Sequence, residues 1–482
     1  MGSVETSVQA RLAAICGEAH VLSHPHDLAT YRSDGLKHLE GIPIAVVLPG
    51  TAEEVQAIVG ACHEAGLAWV ARGAGTGLSG GAIPTAEGVL IVLSRLRRIL
   101  EVDLADARVV AQPGVSNLAV SRAVAPTHFY PPDPSSQIVC SIGGNIAENA
   151  GGAHCFKYGF TTNYVTGLEV VLPDGSLAVL RRDDPGYDLL GAFVGSEGTL
   201  GIATRIELRV VPVPETVRTL VAFFADVADA GEAVSEVVSA GIIPGAIEMM
   251  DPLSIRAAEA ATGAGYRLDA GAALLVELDG PREESGARLA ELLALLVRAR
   301  ALDIRVALTA AEREEIWRAR RAAFAAMGRI APAYYVQDGV IPRTRLAEVL
   351  REIERLAADA ELEVANVFHA GDGNLHPLVL YDAGRPGEPQ RAEELAGAIV
   401  RACVDAGGSI TGEHGVGLDK KRYMPAMFSE ADLGAFQRLR CAFDPLGRAN
   451  PGKVMPTPRL CGEVPGPYRA HPLERAGIAE RF

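Results

Sequence analysis

The chain has 482 residues, 49% of them hydrophobic and 22% charged, a balance that supports a folded protein of several domains and excludes extended disorder. Forty-five basic against 60 acidic side chains leave a formal charge of −15, which argues against nucleic acid as a partner, because that binding rests on Lys and Arg at phosphates. No stretch reaches the roughly 20 apolar residues of a membrane span, residues 1–10 lack the basic start and apolar core of a signal peptide, and the seven cysteines include no C-x-x-C pair. A cytoplasmic, reducing setting is therefore expected, with no iron–sulfur or zinc-ribbon site of the chain's own.

Taken in chain order, the first signal is a helix. Thr51-Ala-Glu-Glu54 is a capping box, Val55, Ile58, Val59 and Cys62 form one apolar face, and Gly66 is a stop. A strand over 67–71, a Gly-rich loop and a strand over 89–93 follow. The loop, residues 72–82, reads Arg-Gly-Ala-Gly-Thr-Gly-Leu-Ser-Gly-Gly-Ala. Gly75, Gly77 and Gly80 match G-x-G-x-x-G, but a dinucleotide fold needs that motif to open a helix. Residues 81–88, with Pro84 among them, leave no room for one. The loop reads instead as a phosphate cradle, in which glycines turn backbone N–H groups toward an anion and Thr76 and Ser79 add hydroxyls.

A hairpin is expected over 168–172 and 176–180 around Pro173-Asp-Gly175. Val211-Pro-Val-Pro214 marks a boundary. Beyond it, strands over 219–224 and 273–278 alternate with helices over 227–240, 281–297, 310–327, 344–358 and 393–406.

Within this second half, His369-Ala-Gly-Asp-Gly-Asn-Leu-His376 places two imidazoles around turn-forming residues. A strand over 364–369, a turn and a strand over 376–381 would bring both rings to the root of a hairpin. Thr411-Gly-Glu-His-Gly415 adds a carboxylate and a third imidazole. Taken singly, each His is an ordinary packed side chain. Three of the chain's 11 histidines in two glycine-bracketed loops point instead to a divalent-metal site, with two His and a Glu leaving one position open for substrate.

Two further segments join the first Gly-rich loop: residues 131–152, Pro-Pro-Asp-Pro-Ser-Ser-Gln-Ile-Val-Cys-Ser-Ile-Gly-Gly-Asn-Ile-Ala-Glu-Asn-Ala-Gly-Gly, and Gly195-Ser-Glu-Gly-Thr-Leu-Gly-Ile202. Together the three resemble the FAD domain of the vanillyl-alcohol oxidase (PCMH-type) superfamily. The resemblance implies that Arg72, Gly73, Ala74, Gly75, Thr76, Gly77, Leu78 and Ser79 wrap the FAD pyrophosphate. It places Pro132, Asp133, Ser135, Ser136, Gly143, Gly144, Asn145, Glu148, Asn149, Gly151 and Gly152 along the isoalloxazine and ribityl parts, and Glu197, Gly198 and Ile202 on the adenine side. No His lies between His63 and His128 to link the flavin, so non-covalent FAD is expected.

Trp317-Arg-Ala-Arg320, Tyr334-Tyr-Val-Gln-Asp338, the two histidine segments and Asn450-Pro-Gly-Lys453 resemble the FAD-linked D-2-hydroxyacid dehydrogenases over residues 20–456. That group includes the FAD subunit of bacterial glycolate oxidase, D-lactate dehydrogenases and D-2-hydroxyglutarate dehydrogenase. It implies an α+β protein: a PCMH-type two-subdomain FAD-binding domain (1–215), an α/β substrate (cap) domain with an antiparallel sheet (216–440), and a segment (441–482) returning to the flavin. His369, His376 and Glu413 would bind the metal, zinc or else manganese. His414 would be the base, Arg320 the substrate-carboxylate clamp and Asn450 a flavin-side contact. Without the resemblance, Arg320 would be read as a solvated charge in the run 318–321. The 2-hydroxyglutarate branch has Lys at the position of Val336 and Asn at that of Leu378, so the apolar pair here favours glycolate or D-lactate. The implied partners are a small 2-hydroxy acid and an electron acceptor, either a quinone or an iron–sulfur partner subunit. Such a subunit would hold the protein peripherally at the inner membrane, and homodimerisation is a further expectation. A non-redox transferase of the alkylglycerone-phosphate synthase type shares the fold and is the competing reading.

Overall fold

The computed structural model describes residues 2–456, so the expected returning segment is described as far as residue 456 and its remainder lies outside the described residues. Three sheets organise the chain. The first has the order Val21–Leu22, Ala45–Val47, Gly88–Val92, Ala68–Arg72, with the last three parallel. Ala68–Arg72 and Gly88–Val92 are joined by the Gly-rich loop instead of a crossover helix, as the short spacing required. Helix Ala52–Glu64 covers this sheet: Val55, Ile58, Val59 and Cys62 are fully buried with Leu12 of helix Gly2–Cys16 against Val47, Val89 and Ile91. Thr51 Oγ1 accepts the Glu54 N–H at 3.2 Å, and the Glu54 carboxylate reaches one residue beyond the cap, to the Gly50 N–H at 2.6 Å.

The second sheet is antiparallel, in the order Ile99–Asp103, Arg108–Ala111, Ile202–Arg209, Val165–Val171, Leu177–Arg181. Its last two strands are the expected hairpin. Helix Ile142–Glu148 packs on it and was not expected from the sequence, since Gly143-Gly144 are poor helix formers. Tertiary contact overrides propensity here. Ser141 caps the helix by accepting the Gly144 N–H, and a Cβ at 143 would sit 2.6 Å from Pro113 Cβ.

The third sheet, nine-stranded, forms the cap domain and is antiparallel throughout. Its central strands are buried on both faces. In Thr216–Phe224, Leu220, Ala222 and Phe224 enter one core while Val221 and Phe223 enter the other. Helices Val227–Ser239, Arg282–Arg298, Leu346–Asp359 and Glu388–Asp405 cover the first face; Pro252–Thr262 and Ala310–Ala326 cover the second. Five of these are the predicted helices; Pro252–Thr262 was not predicted, and Glu388–Asp405 starts five residues early, because Pro389 is pre-organised for a first turn. Strand Glu363–His369 alternates in the same way, with Phe368 in the first core and Val367 and Ala365 in the second, so His369 falls on the second face.

After helix Glu430–Phe443 the chain returns to the first sheet. The Trp69 N–H donates to Arg448 O at 2.9 Å and the Asn450 N–H to Trp69 O at 2.8 Å, so Ala449 lies as a parallel neighbour beside the edge strand Ala68–Arg72. Among the described residues no helix is long and apolar enough to cross a membrane, and Cys16, Cys62, Cys140, Cys155 and Cys403 are free and buried.

Candidate active site

Strand pairing supplies the first contact of the site. Strands Ala246–Met250 and Glu363–His369 run antiparallel with Glu248 opposite His369, both on the sheet's second face. His369 Nδ1 lies 2.7 Å from Glu248 Oε1. Glu248 Oε2 accepts from Arg320 Nε at 2.8 Å and ion-pairs with Nη2 at 2.6 Å. Arg320 is therefore buried, while Arg318 and Arg321 of the same run are exposed. A guanidinium and a carboxylate this deep must be paired, because burial of either alone is expensive.

The other ring nitrogen of His369, Nε2, stands 3.3 Å from Glu413 Oε1, and His376 Nε2 approaches the same oxygen at 3.3 Å. The two rings meet edge to face, 5.0 Å apart, at the root of the hairpin the sequence predicted. Ligand atoms of His369, His376 and Glu413 all lie within 4.8 Å of one another. Both ring nitrogens of His376 are buried without a hydrogen-bond partner. A buried polar atom left unpaired is costly, and two imidazoles and a carboxylate converging on one point satisfy a divalent cation such as zinc. The residues fit a metal, and Glu248 behind His369 stands where an outer carboxylate would fix a ligating ring.

The electrostatics follow from burial and charge. Burial opposes the Glu413 charge, but His369 and His376 hold its carboxyl well below the usual range. Burial alone would lower His369, yet Glu248 and Glu413 hold it well above the ordinary value. Burial, helped by the charges of His376 and Lys420 and resisted by Asp338, pushes His414 down to about 4, so its imidazole is neutral at pH 7. His414 stacks on His376, 5.0 Å between centroids and 10° between planes, with Nε2 4.0 Å from Glu413 Oε1.

Asp338, fully buried, holds the loop that carries Glu413 and His414. Its Oδ2 accepts from Thr411 Oγ1 at 2.5 Å, from the Gly412 and His414 N–H groups at 3.0 Å, and from Lys420 Nζ at 3.0 Å.

Glu413 and His414 also wall an open cleft between the first two sheets and the cap domain. Of the residues expected to hold FAD, Arg72, Gly73, Ala74, Gly75, Thr76, Gly77 and Leu78 line it along one wall. Ser135, Ser136, Gly143, Gly144, Asn145, Glu148, Gly151, Glu197, Gly198 and Ile202 line it elsewhere. A Cβ at 73 would lie 2.0 Å from Ser141 Oγ, and Gly75 has φ +70°, so the wall is main chain by necessity. The Arg72 guanidinium donates to Ser33 O at 2.8 Å, away from a role as a free cleft cation. Buried Asn145 Nδ2, Glu148 Oε2 and Ser196 Oγ have no protein partner and face this space, so the cleft fits a large polar cofactor such as FAD.

Six expected cofactor residues do not line the cleft. Ser79 O holds the Leu418 and Asp419 N–H groups, Pro132 O accepts from Asn117 Nδ2, and Asn149 Oδ1 accepts the Thr162 N–H. Asp133 pairs with His154 at 2.7 Å, Gly152 packs on Asp133, and Asn450 Nδ2 donates to Gly81 O at 3.0 Å and Glu197 O at 2.6 Å. They buttress the walls. Glu248, Asp338 and Lys420 received no role from the sequence. Glu248 alone carried a signal, a single carboxylate inside the apolar strand Ala-Ile-Glu-Met-Met.

Residues 43–181 match the FAD binding domain family, and residues 213–454 match the family of FAD linked oxidases, C-terminal domain. The fold is shared with p-cresol methylhydroxylase with substrate bound (TM-score 0.80, 16% identity, 94% of this chain and 97% of that one). It is also shared with an alkyldihydroxyacetonephosphate synthase (TM-score 0.73, 18% identity, 93% and 85%). The chain thus carries the two domains of an FAD-linked oxidase on a PCMH-type fold. It is 49% identical over 462 residues to the glycolate oxidase subunit GlcD of Escherichia coli (strain K12), covering 95% of this chain and 93% of that one. It is 33% identical over 425 residues to a D-lactate dehydrogenase of Anaerostipes hadrus, covering 86% and 89%. The chain belongs to the FAD-linked D-2-hydroxyacid dehydrogenase family.

Proposed function

We propose that the chain oxidises a small D-2-hydroxy acid, glycolate or D-lactate, to the 2-oxo acid, using non-covalent FAD and a divalent cation on His369, His376 and Glu413. One observation carries the reading: Glu413 closes the cation triad while it and the adjacent His414 wall the flavin cleft. Bound FAD supplies the two-electron oxidant, and a bound zinc or manganese ion supplies Lewis acidity at the substrate hydroxyl. His414 is the proton acceptor. It is half-buried, and its ring is held parallel to His376 beside the triad, where it takes the hydroxyl proton as the C2–H bond breaks. Arg320 is assigned the substrate carboxylate, with one edge of its guanidinium committed to Glu248.

Val336 and Leu378 face each other across an antiparallel pair on the same apolar sheet face as the triad, which favours a monocarboxylate over a substrate with a second carboxylate. Electrons pass on to a quinone or a protein acceptor. The similarity to a protein named as a subunit supports a partner subunit; an iron–sulfur partner that holds the protein peripherally at the inner membrane is part of the same proposal.

The test is an anaerobic titration of the purified protein with glycolate, each lactate enantiomer and D-2-hydroxyglutarate, following the flavin's visible absorption before and after chelation. Glycolate or D-lactate should bleach the flavin, the chelator should abolish bleaching, and zinc or manganese should restore it. A flavin untouched by every hydroxy acid would overturn the assignment in favour of the non-redox transferase.

A further inference from the structure

The loop 411–418 is gripped from two sides by buried carboxylates of different domains. On the cap side, Asp338 holds Thr411, Gly412 and His414, as described above. On the flavin side, Glu197 Oε1 accepts the Val416 N–H at 2.6 Å and Oε2 accepts the Gly417 N–H at 2.7 Å. The approach is close: a Cβ at 417 would lie 2.1 Å from Ser79 O, and one at 415 would lie 2.2 Å from Glu148 Oε2. Glu197 itself has φ +53°, a conformation a non-glycine residue keeps only when its surroundings over-determine it. The over-determination is visible. Its carboxylate is spent on the loop, its carbonyl accepts from Asn450 Nδ2, and Ser196, Glu197 and Gly198 form part of the cleft wall.

Resting on the cofactor and cation sites assigned above, we infer that Glu197 and Asp338 both position Glu413, and that Glu197 couples FAD in the cleft to the cation there. A cofactor packed on 196–198 stabilises the Glu197 conformer, which fixes Val416 and Gly417 and so the Glu413 carboxylate three residues upstream. Asp338 holds the same ligand to its two histidines whether or not the cleft is filled. The two carboxylates therefore have different signatures. Glu197 transmits occupancy of the cleft, and Asp338 sets the intrinsic affinity for the cation. Coupling of this kind is reciprocal, so the cation must raise FAD affinity by the same factor.

The experiment measures Mn²⁺ binding by calorimetry to metal-stripped full-length protein, with FAD bound and after FAD removal, and FAD binding by fluorescence quenching with and without Mn²⁺. Wild type should bind Mn²⁺ at least about fivefold more tightly when FAD is present, with the same ratio for FAD. Glu197→Gln should bring that ratio near one, whatever its effect on the Mn²⁺ affinity of the flavin-free protein. Asp338→Asn should weaken Mn²⁺ in both forms and preserve the ratio. Equal Mn²⁺ affinities in the two wild-type forms, or an undiminished ratio in Glu197→Gln, would overturn the coupling while leaving the catalytic assignment standing. Absence of Mn²⁺ binding in either form would overturn both. Should a variant fail to fold, the wild-type pair and its reciprocal FAD measurement decide alone.

Discussion

The flavin cleft and the histidine–glutamate cluster share a wall, yet they are built by opposite means. The cleft is largely main chain: glycines at 73, 75, 143 and 151 bring backbone close enough to replace side chains, and a Cβ at most of these positions meets another atom below 3 Å. The cluster is entirely side chain, displayed at alternating positions of a doubly covered sheet and on one loop. Chemistry at the cluster is thus open to removal without loss of fold. The cleft, by contrast, fails through its shape.

The sharpest way to break that contrast is His414→Ala. It should lower kcat by ~10²–10⁴-fold, the ordinary worth of a general base, with FAD and cation content unchanged by absorbance and metal analysis. Loss of FAD in that variant would show that the two regions are not separable. Arg320→Ala should be a stability lesion, about 3–5 kcal/mol by denaturant unfolding, because buried Glu248 loses its guanidinium partner and keeps only His369. An unchanged midpoint would mean that solvent reaches Glu248. The smallest effect is expected at the cleft: Gly73→Ala should cost about 1–3 kcal/mol through overpacking against Ser141, read as weaker FAD retention with cation affinity retained.

Much of this was legible in the sequence, for identifiable reasons. The glycine clusters announce a main-chain cradle because few other structures need so many small residues between apolar strands. The hairpin that joins His369 to His376 was readable because both ends and the turn lie within eight residues. What escaped was non-local. Glu248 reaches His369 across 121 positions and Arg320 across 72; strand register decides the first contact and helix packing on the sheet the second, and no local pattern specifies either. Asp338 lay inside a motif already noted, but its work on the 411–414 backbone has no signature in residue type. Arg320 shows the limit from the other side: three arginines in four positions look like a solvated face, and only helix packing buries one and leaves its neighbours exposed. Helix Ile142–Glu148 escaped because Gly143 serves close approach to Pro113 and both glycines line the cleft, at the expense of local propensity.

The neighbour that Ala449 and Asn450 provide to Trp69 has a consequence for how the molecule comes into being. Strand Ala68–Arg72 is the open edge of its sheet until those residues arrive, and they are separated from it by the whole cap domain. On the ribosome, where N-terminal regions emerge first, the amino-terminal half must wait with that edge bare, and an unpaired edge invites pairing with other chains. Synthesis of the last described residues is therefore also the step that seals the edge next to the Gly-rich loop. A chain cut anywhere before residue 448 would leave the ribosome with its cofactor cradle begun and its border unfinished.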